Sequence, residues 1–102
     1  MRRLLLSRRA EADLEDIWIY SFDSWGEAQA YRYLDEFADG LRRCATKPER
    51  GKDRSDVRCD CRSLPVRKHV IFYTFTDDEV LIQRILHSNM DPEFHLLDDV
   101  GA

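Results

Sequence analysis

The sequence contains no apolar run that approaches the roughly 20 residues a membrane-spanning helix needs, so a membrane protein is not expected. Arg8 and Arg9 interrupt the apolar residues near the start, so a signal peptide is not expected either. Cysteine is scarce and odd in number, at three residues, which does not suit a disulfide framework. These absences predict reduced thiols and a cytoplasmic location.

Internal repeats and low-complexity tracts are also lacking. The 102 residues suit one compact domain, expected to span residues 1–102 with residues 91–102 as a C-terminal tail. Hydrophobic residues make up 43% of the chain, which is enough for one modest core and argues against disorder. A domain of this size hides only about two-thirds of its unfolded surface, so a partner that covers more of it would add stability.

Patterns typical of metal or cofactor binding are missing as well. Cys59 and Cys61 are separated by one residue, whereas zinc-binding cysteines are usually two to four residues apart, and no second cysteine pair exists. Cys44 lies on the apolar stripe of a predicted helix and is assigned to the core. Neither a metal site nor a cofactor is expected.

Negative charge dominates, with a net charge of −4, but it is unevenly distributed. Residues 42–68 contain ten Lys or Arg and four Asp or Glu, a balance of +6, whereas the remainder carries −10. This basic segment is either a solvated loop or a docking surface for an acidic partner or nucleic acid. It does not interleave aromatic with basic residues as a platform for single-stranded nucleic acid would.

Two stretches show the 3.6-residue spacing of amphipathic helices. Ser7 is predicted to cap the start of the first helix, and Ser24 with Glu27 is predicted to form a capping box that starts the second. Pro48 and Gly51 are predicted to end the second helix. Because only a few residues join them, the two helices should form an antiparallel hairpin.

Four short apolar segments are predicted to be strands, with a charged loop over residues 49–60. Residues 3–6 precede the helices, and the other three strands follow the loop at 61–66, 68–75 and 79–87. Short connections make these last three strands antiparallel. The expected fold class is α+β, in the order β-α-α-β-β-β, with the α-helical hairpin packed on a small antiparallel sheet.

Both faces of the last two predicted strands are apolar. In the first of them, Val70 and Phe72 alternate with Ile71 and Tyr73, so neither face is polar as it would be in a half-exposed sheet. The helical hairpin can cover one face. The C-terminal tail, a partner or both must cover the other.

Several segments together resemble the ParE branch of the RelE/ParE superfamily of toxins. Leu6–Trp18 is similar to the ParE opening, and Arg62–Tyr73 is similar to the second and third strands of that family. The other similar segments are Trp25–Ala30, Tyr33–Leu34 and Arg84–His87, followed by Met90, Asp91 and His95. The resemblance covers nearly the whole chain, and the predicted element order matches the family fold.

This resemblance implies the toxin of a type II toxin–antitoxin system, which inhibits growth by poisoning DNA gyrase. It implies a ParD-like antitoxin that wraps and neutralises the toxin in a hetero-oligomer. The antitoxin would contact DNA through its own ribbon-helix-helix part, so the toxin would meet DNA only indirectly. Such a toxin is a binding inhibitor rather than an enzyme.

Two sets of residues are assigned as binding sites on this basis. Trp18 and Trp25 flank the hairpin turn, where they either pack the hairpin, the favoured role, or, if exposed, anchor a partner strongly. The hairpin and the second face of the sheet offer apolar surface to an antitoxin. The antitoxin-binding residues are predicted to be Leu14, Trp18, Trp25, Tyr31, Phe72 and Tyr73. The target-binding residues are predicted to be Arg62, Arg84, His87, Met90 and Asp91.

The alternative within the superfamily is a ribosome-dependent mRNA endonuclease of RelE type. Arg62 and Arg84 would hold the scissile phosphate, and His87 would transfer a proton. Two features argue against this alternative. The usual C-terminal tyrosine is missing, and Arg84 and His87 are three residues apart, which puts them on opposite faces of a regular strand. A third possibility is an inactive relative that still binds an antitoxin-like protein.

Structural roles are open to the same side chains. Arg62 and Arg84 could form ion pairs with one of three carboxylates, those of Asp60, Asp77 and Asp91. His87 is favoured as a capping or tail-anchoring residue, and His69 as the hydrogen-bonded end of a strand.

Overall fold

The computed structural model describes residues 1–90 and Pro92, so the predictions for Asp91, His95 and the rest of the tail lie outside the described residues. The helices are α1 (Arg8–Trp25) and α2 (Glu27–Thr46), followed by a short 3₁₀ turn (Pro48–Arg50). The strands are β1 (Arg3–Leu6), β2 (Lys52–Asp53), β3 (Arg62–Val66), β4 (His69–Phe75) and β5 (Glu79–His87). The predicted α+β fold, with two helices packed on a sheet, is confirmed.

Ser7 caps the start of α1, as predicted. Its hydroxyl oxygen accepts a hydrogen bond from the backbone amide of Ala10 at 3.0 Å, which satisfies one of the amides left open at a helix start. The same hydroxyl donates to the backbone carbonyl of Gln83 at 2.7 Å. One side chain therefore both starts the helix and ties it to β5.

The junction between the helices differs from the prediction. Ser24 lies inside α1, and Gly26 alone separates the two helices, so the predicted capping box of Ser24 with Glu27 is wrong. Gly26 has φ +88°, which favours glycine because it has no Cβ. Its amide donates to the carbonyl of Phe22, and its carbonyl accepts from the amide of Ala30. The glycine therefore closes one helix and opens the next without a connecting loop.

The sheet is mixed: the last three strands are antiparallel, as predicted, whereas β1 adds a parallel pair to the small antiparallel sheet that was expected. Its strand order is β1-β5-β4-β3-β2, and β1 runs parallel to β5 while the other neighbours are antiparallel. The predicted loop over residues 49–60 also contributes β2, which pairs with β3 at the sheet edge. Parallel pairing of β1 is possible because the whole helical hairpin lies between β1 and the later strands.

The helical hairpin packs on one face of the sheet. The core residues on this side come from α1, α2 and the three long strands, and they include Ile17, Phe37, Ile71, Tyr73, Val80 and Ile82. Gly40 of α2 is buried where the helix approaches the sheet most closely, since a Cβ added there would lie 2.7 Å from a methyl carbon of Val66. The absence of a side chain at Gly40 thus sets how near α2 lies to β3 and β4.

Replacing Gly40 with alanine should lower the free energy of unfolding by about 1 kcal/mol, because an overpacking cost of about 1–3 kcal/mol exceeds the gain in helix propensity. Urea unfolding followed by circular dichroism would measure this. Ala38→Gly, at an exposed position two residues earlier, measures the contribution of helix propensity to the free energy of unfolding without any change in packing. A Gly40→Ala protein more stable than wild type would show that α2 can move away from Val66 at little cost.

The second face of the sheet is covered by the chain itself, between residues 54 and 61. Val57 and Cys61 are buried there against Phe72 and Leu86. The segment is closed by a hydrogen bond from the amide of Arg54 to the carbonyl of Cys61 at 2.8 Å. The prediction of two apolar faces is confirmed, but this cover was expected from the tail or a partner.

Candidate functional site

An outer aromatic cluster lies on one side of the hairpin, formed by Trp18, Phe22 and Tyr31. The ring centroid of Trp18 lies 5.8 Å from that of Phe22 and 5.0 Å from that of Tyr31. Phe22 is 45% exposed and Tyr31 is 54% exposed. Trp18 and Phe22 are one helical turn apart on α1, so α1 presents them side by side towards α2. The cluster is therefore largely accessible to solvent, and the contacts between its rings hold them in place.

A second aromatic group borders a cavity of about 560 Å³, named here the hairpin pocket, between the end of α1 and the ends of β4 and β5. Its walls include Tyr20, Trp25 and Tyr33. The ring centroid of Trp25 lies 5.8 Å from that of Tyr20 and 6.0 Å from that of Tyr33. Tyr20 is 64% exposed and Trp25 is 49% exposed. The end of the hairpin therefore carries accessible aromatic rings on two sides.

Two histidines lie at the base of the hairpin pocket. His69 and His87 are paired across β4 and β5, with ring centroids 5.2 Å apart. The hydroxyl of Tyr33 and Nδ1 of His69 form a hydrogen bond of 2.7 Å, which confirms His69 as a hydrogen-bonded strand end. Burial is the main cause that lowers the pKa of His69, and the nearby His87 lowers it further. The neutral form of the ring is therefore favoured at pH 7. Burial raises the pKa of the Tyr33 hydroxyl, which also stays neutral.

His87 has a structural contact of its own. Its Nδ1 accepts a hydrogen bond from the backbone amide of Asn89 at 3.1 Å, and its carbonyl accepts from the amide of Met90 at 2.9 Å. The ring therefore caps the turn that follows β5. This contact is of the capping kind expected for His87 from the sequence.

Arg84 forms a mostly buried ion pair with Asp13 of α1. Nε and Nη2 of Arg84 donate to the two carboxylate oxygens at 2.9 and 3.0 Å, and both side chains are about nine-tenths buried, at 11% and 13% exposure. The same carboxylate accepts from the backbone amide of Ile85 at 2.9 Å. Among the described residues, Asp13 is an acidic partner of Arg84, and it was not one of the carboxylates considered from the sequence. It is a residue of the first helix, and the pair joins α1 to β5.

The residues of the alternative endonuclease site have different immediate contacts. Nη1 of Arg62 donates to the backbone carbonyls of Glu49 and Gly51 at 3.2 and 3.0 Å, and its guanidinium carbon lies 5.8 Å from the ring centroid of Phe75. Arg84 binds Asp13, whereas His87 caps the turn after β5. The pairing of β5 with β4 is regular from Arg84 to His87, because its bulge precedes Arg84. A bulge between Arg84 and His87 would be needed to turn both side chains to one face, and the strand has none there.

The predicted antitoxin-binding residues divide into exposed and buried ones. Trp25 and Tyr31 are exposed, and Trp18 and Leu14 are partly covered. Phe72 and Tyr73 are buried in the two cores, and the hydroxyl of Tyr73 donates to the carbonyl of Pro48 at 2.7 Å. Neither Phe72 nor Tyr73 is accessible to a partner in this structure.

Sequence reasoning missed Tyr20 and Phe22. Phe22 follows Trp18 by four residues, which would have placed both on one helical face if α1 had been extended to Trp25. The assumed helix start at Ser24 hid that signal.

The described residues contain neither a group of side chains placed to hold a metal ion nor a helix that could cross a membrane. Within residues 1–90 and Pro92, no group of three or more His, Cys, Asp or Glu is placed to hold a metal ion. Cys44 is buried, as predicted for a core residue, and burial raises the pKa of its thiol to about 12. In the same part of the chain, neither helix is both long and apolar enough to span a bilayer.

Comparison with known proteins identifies the family. Residues 4–92 match the sequence model of the family described as ParE toxin of type II toxin-antitoxin system, parDE. The chain belongs to the ParE toxin family. Toxin ParE1 of Mycobacterium tuberculosis is 37% identical over 95 residues, which are 92% of this chain and 97% of the relative. Toxin ParE1 of Caulobacter vibrioides is 38% identical over 96 residues, which are 94% of this chain and 99% of the relative.

The fold of this ParE protein also has a solved counterpart. A chain described as "Chromosomal ParDE TA system from P. aeruginosa" superimposes on it with a TM-score of 0.73. The likeness covers 85% of this chain and 96% of that chain, at 20% sequence identity. At this identity the likeness establishes the fold, while the family rests on the sequence match. The resemblance to ParE inferred from short segments of sequence is confirmed.

Proposed function

We propose that this ParE protein inhibits growth by poisoning DNA gyrase and that a ParD-like antitoxin neutralises it by binding the end of the helical hairpin. The observation that carries the proposal is the accessible aromatic surface there, in a chain that belongs to the ParE family. Contiguous exposed apolar surface of this kind marks interaction sites in small soluble domains. The proposed target places the protein in the cytoplasm, in a hetero-oligomer with the antitoxin.

The hairpin end suits an antitoxin that wraps around it. The outer aromatic cluster and the hairpin pocket both border α1 near Gly26, so one segment can contact both. Trp and Tyr at such positions supply large contact areas with little loss of side-chain entropy, and they are common binding hot spots. Trp18, Trp25 and Tyr31 therefore stay in the proposed antitoxin site, and Tyr20 and Phe22 join it.

The endonuclease alternative finds less support in the geometry. Phosphodiester cleavage needs cationic groups and a proton-transferring group directed at one phosphate. Here Arg84 is held by a mostly buried carboxylate, Arg62 by two backbone carbonyls and His87 by a turn amide. These contacts favour structural roles for all three side chains.

Met90, which is 46% exposed beside the hairpin pocket, is retained as a proposed target contact together with Asp91.

The purified protein should trap cleaved DNA in the presence of gyrase and inhibit supercoiling, while leaving ribosome-bound mRNA intact. His87→Ala should retain both gyrase effects within about threefold, because removing one capping hydrogen bond costs only about 1 kcal/mol. Parallel gyrase and ribosome-dependent mRNA cleavage assays would measure these effects. Wild-type protein that cuts mRNA and loses this activity on His87→Ala would replace the gyrase proposal with the endonuclease one.

A further inference from the structure

A basic cleft lies at the C-terminal end of α2, at the opposite end of that helix from the hairpin junction. Its volume is about 660 Å³, and its charged lining comprises one carboxylate and four cations, from Asp39, Arg42, Arg43, Lys47 and Arg50. These side chains give the cleft a net charge of +3 in a protein whose overall charge is −4. A local positive charge of this kind attracts anionic groups even when the whole molecule is acidic.

Three of the four cations have no described partner of opposite charge. Arg42 pairs with Asp39 at 2.8 Å on the exposed rim. Among residues 1–90 and Pro92, no ion pair neutralises Arg43, Lys47 or Arg50, and all three are exposed. Lys47 caps the C-terminal end of α2, where its amide donates to the carbonyl of Arg43, and both side chains line the same cleft. Their positive charge is therefore available to a ligand.

Side chains of the sheet hold the backbone of the turn that carries Arg50 in place by hydrogen bonds. The buried hydroxyl of Tyr73 donates to the carbonyl of Pro48, and Arg62 donates to the carbonyls of Glu49 and Gly51. Gly51 lies so close to Tyr73 that a Cβ there would be 2.0 Å from the hydroxyl oxygen. The 3₁₀ turn that places Arg50 opposite α2 is thus held by the core, and the cleft does not have to be assembled when a ligand binds.

The lining of the cleft also has an apolar part, which narrows the kind of anion that fits. Its partly exposed apolar residue is Leu64, behind which lie the buried side chains of Cys44 and Tyr73, and burial keeps the Cys44 thiol neutral. No exposed aromatic ring lines the cleft within the described residues, so unpaired bases have nothing to stack on. A recessed site with an apolar part and a cationic rim suits an acidic peptide with an apolar side chain better than the convex backbone of duplex DNA.

We propose that this basic cleft binds an acidic segment of the antitoxin, one in which carboxylates flank an apolar side chain. The inference rests on the proposed neutralisation by an antitoxin and adds a second anchor to it. Tyr31 and Thr46, the last residue of α2, are fifteen residues apart, which corresponds to about 23 Å at 1.5 Å per residue, and Lys47 follows directly. An extended segment of about seven residues covers that distance. One antitoxin chain can therefore bind both ends of α2, and two linked contacts bind more tightly than either alone.

The test is the affinity of the full-length protein for the antitoxin encoded beside it, measured by calorimetry between 50 and 300 mM salt, roughly the range over which surface charges become screened. Lys47→Glu should weaken binding about tenfold at low salt and flatten its salt dependence. Arg8→Glu makes the same charge change on an exposed part of α1 and should stay within about twofold. Arg50→Glu should repeat the effect of Lys47→Glu if the latter disturbs the end of α2.

The outcomes separate the two proposals. Equal affinities for wild type, Lys47→Glu, Arg50→Glu and Arg8→Glu would overturn the basic cleft as an antitoxin site and leave the proposed function intact. Absence of any binding by the wild-type protein would overturn both. A 20-base-pair DNA duplex that competes with the antitoxin, and does so through Lys47, would show that the cleft binds nucleic acid instead.

Discussion

Replacing Asp13 with alanine is expected to lower the free energy of unfolding by about 3–5 kcal/mol, the largest stability effect of any single substitution considered. The change removes both hydrogen bonds that the carboxylate accepts from Arg84, and it leaves the guanidinium in a mostly buried position without this counter-charge. It also removes the acceptor for the backbone amide of Ile85. Urea unfolding at pH 7 followed by circular dichroism would measure the loss.

Two controls show whether the loss comes from the buried charge. Glu79→Ala breaks the exposed ion pair with Arg3 and should cost less than about 1 kcal/mol, because water already solvates both groups. The double replacement Asp13→Leu with Arg84→Met should be more stable than Asp13→Ala, since it removes the mostly buried guanidinium together with the carboxylate that it binds. If Asp13→Ala cost no more than Glu79→Ala, the pair of Asp13 with Arg84 would contribute little to stability, and the expected loss of about 3–5 kcal/mol would be wrong.

The parts of the fold that sequence predicted well depend on local patterns. Ser7 is recognisable as a cap because its partner amide is only three residues away. The long strands β4 and β5 stand out because they are apolar on both faces, and the core confirms that both faces are covered. Periodicity and turn residues act over a few positions, so a single sequence can show them.

The features that sequence missed depend on residues far apart in the chain. Asp13 and Arg84 are seventy-one positions apart, and nothing near Arg84 indicates that its partner lies on the first helix. Val57 stands among charged residues, so residues 54–60 looked like part of a charged loop, and Cys61 looked like the start of the next strand. Together they form a cover because Phe72 and Leu86 offer them an apolar surface. Such pairings follow from tertiary packing, which local patterns do not contain.

The candidate site likewise combines residues that local sequence patterns indicated with residues whose surroundings depend on distant parts of the chain. Trp18 and Trp25 were predicted because exposed tryptophans flanking the hairpin turn would anchor a partner strongly, and Tyr31 because it lies on the apolar stripe of the second helix. Phe72 and Tyr73 were assigned to a partner because one sheet face lacked an evident cover, and the structure supplies that cover from within the chain. Conversely, Gly26 joins the helices directly, and this extends α1 far enough to bring Phe22 beside Trp18.

Replacing Trp25 and Tyr31 together with alanine is expected to weaken binding to the cognate antitoxin by about a thousandfold. Each residue is a large, accessible aromatic at the hairpin end, and hot spots of this kind contribute about 2 kcal/mol or more, about thirtyfold each. Tyr31→Ala also removes the ring that lies against Trp18 at 5.0 Å. Surface plasmon resonance with the antitoxin encoded beside this gene would measure the change, mainly as faster dissociation.

The toxin activity of the same double variant makes the prediction specific. Both rings are about half exposed, so their removal should leave the thermal unfolding midpoint within a few degrees of wild type, and gyrase poisoning should persist. Cells should then arrest even when the antitoxin is co-expressed. Leu5→Ala removes an exposed apolar side chain on β1 and should be neutralised normally. If the antitoxin bound the folded double variant as tightly as wild type, the hairpin end could not be its principal docking site. Attention would then move to the basic cleft at the other end of α2.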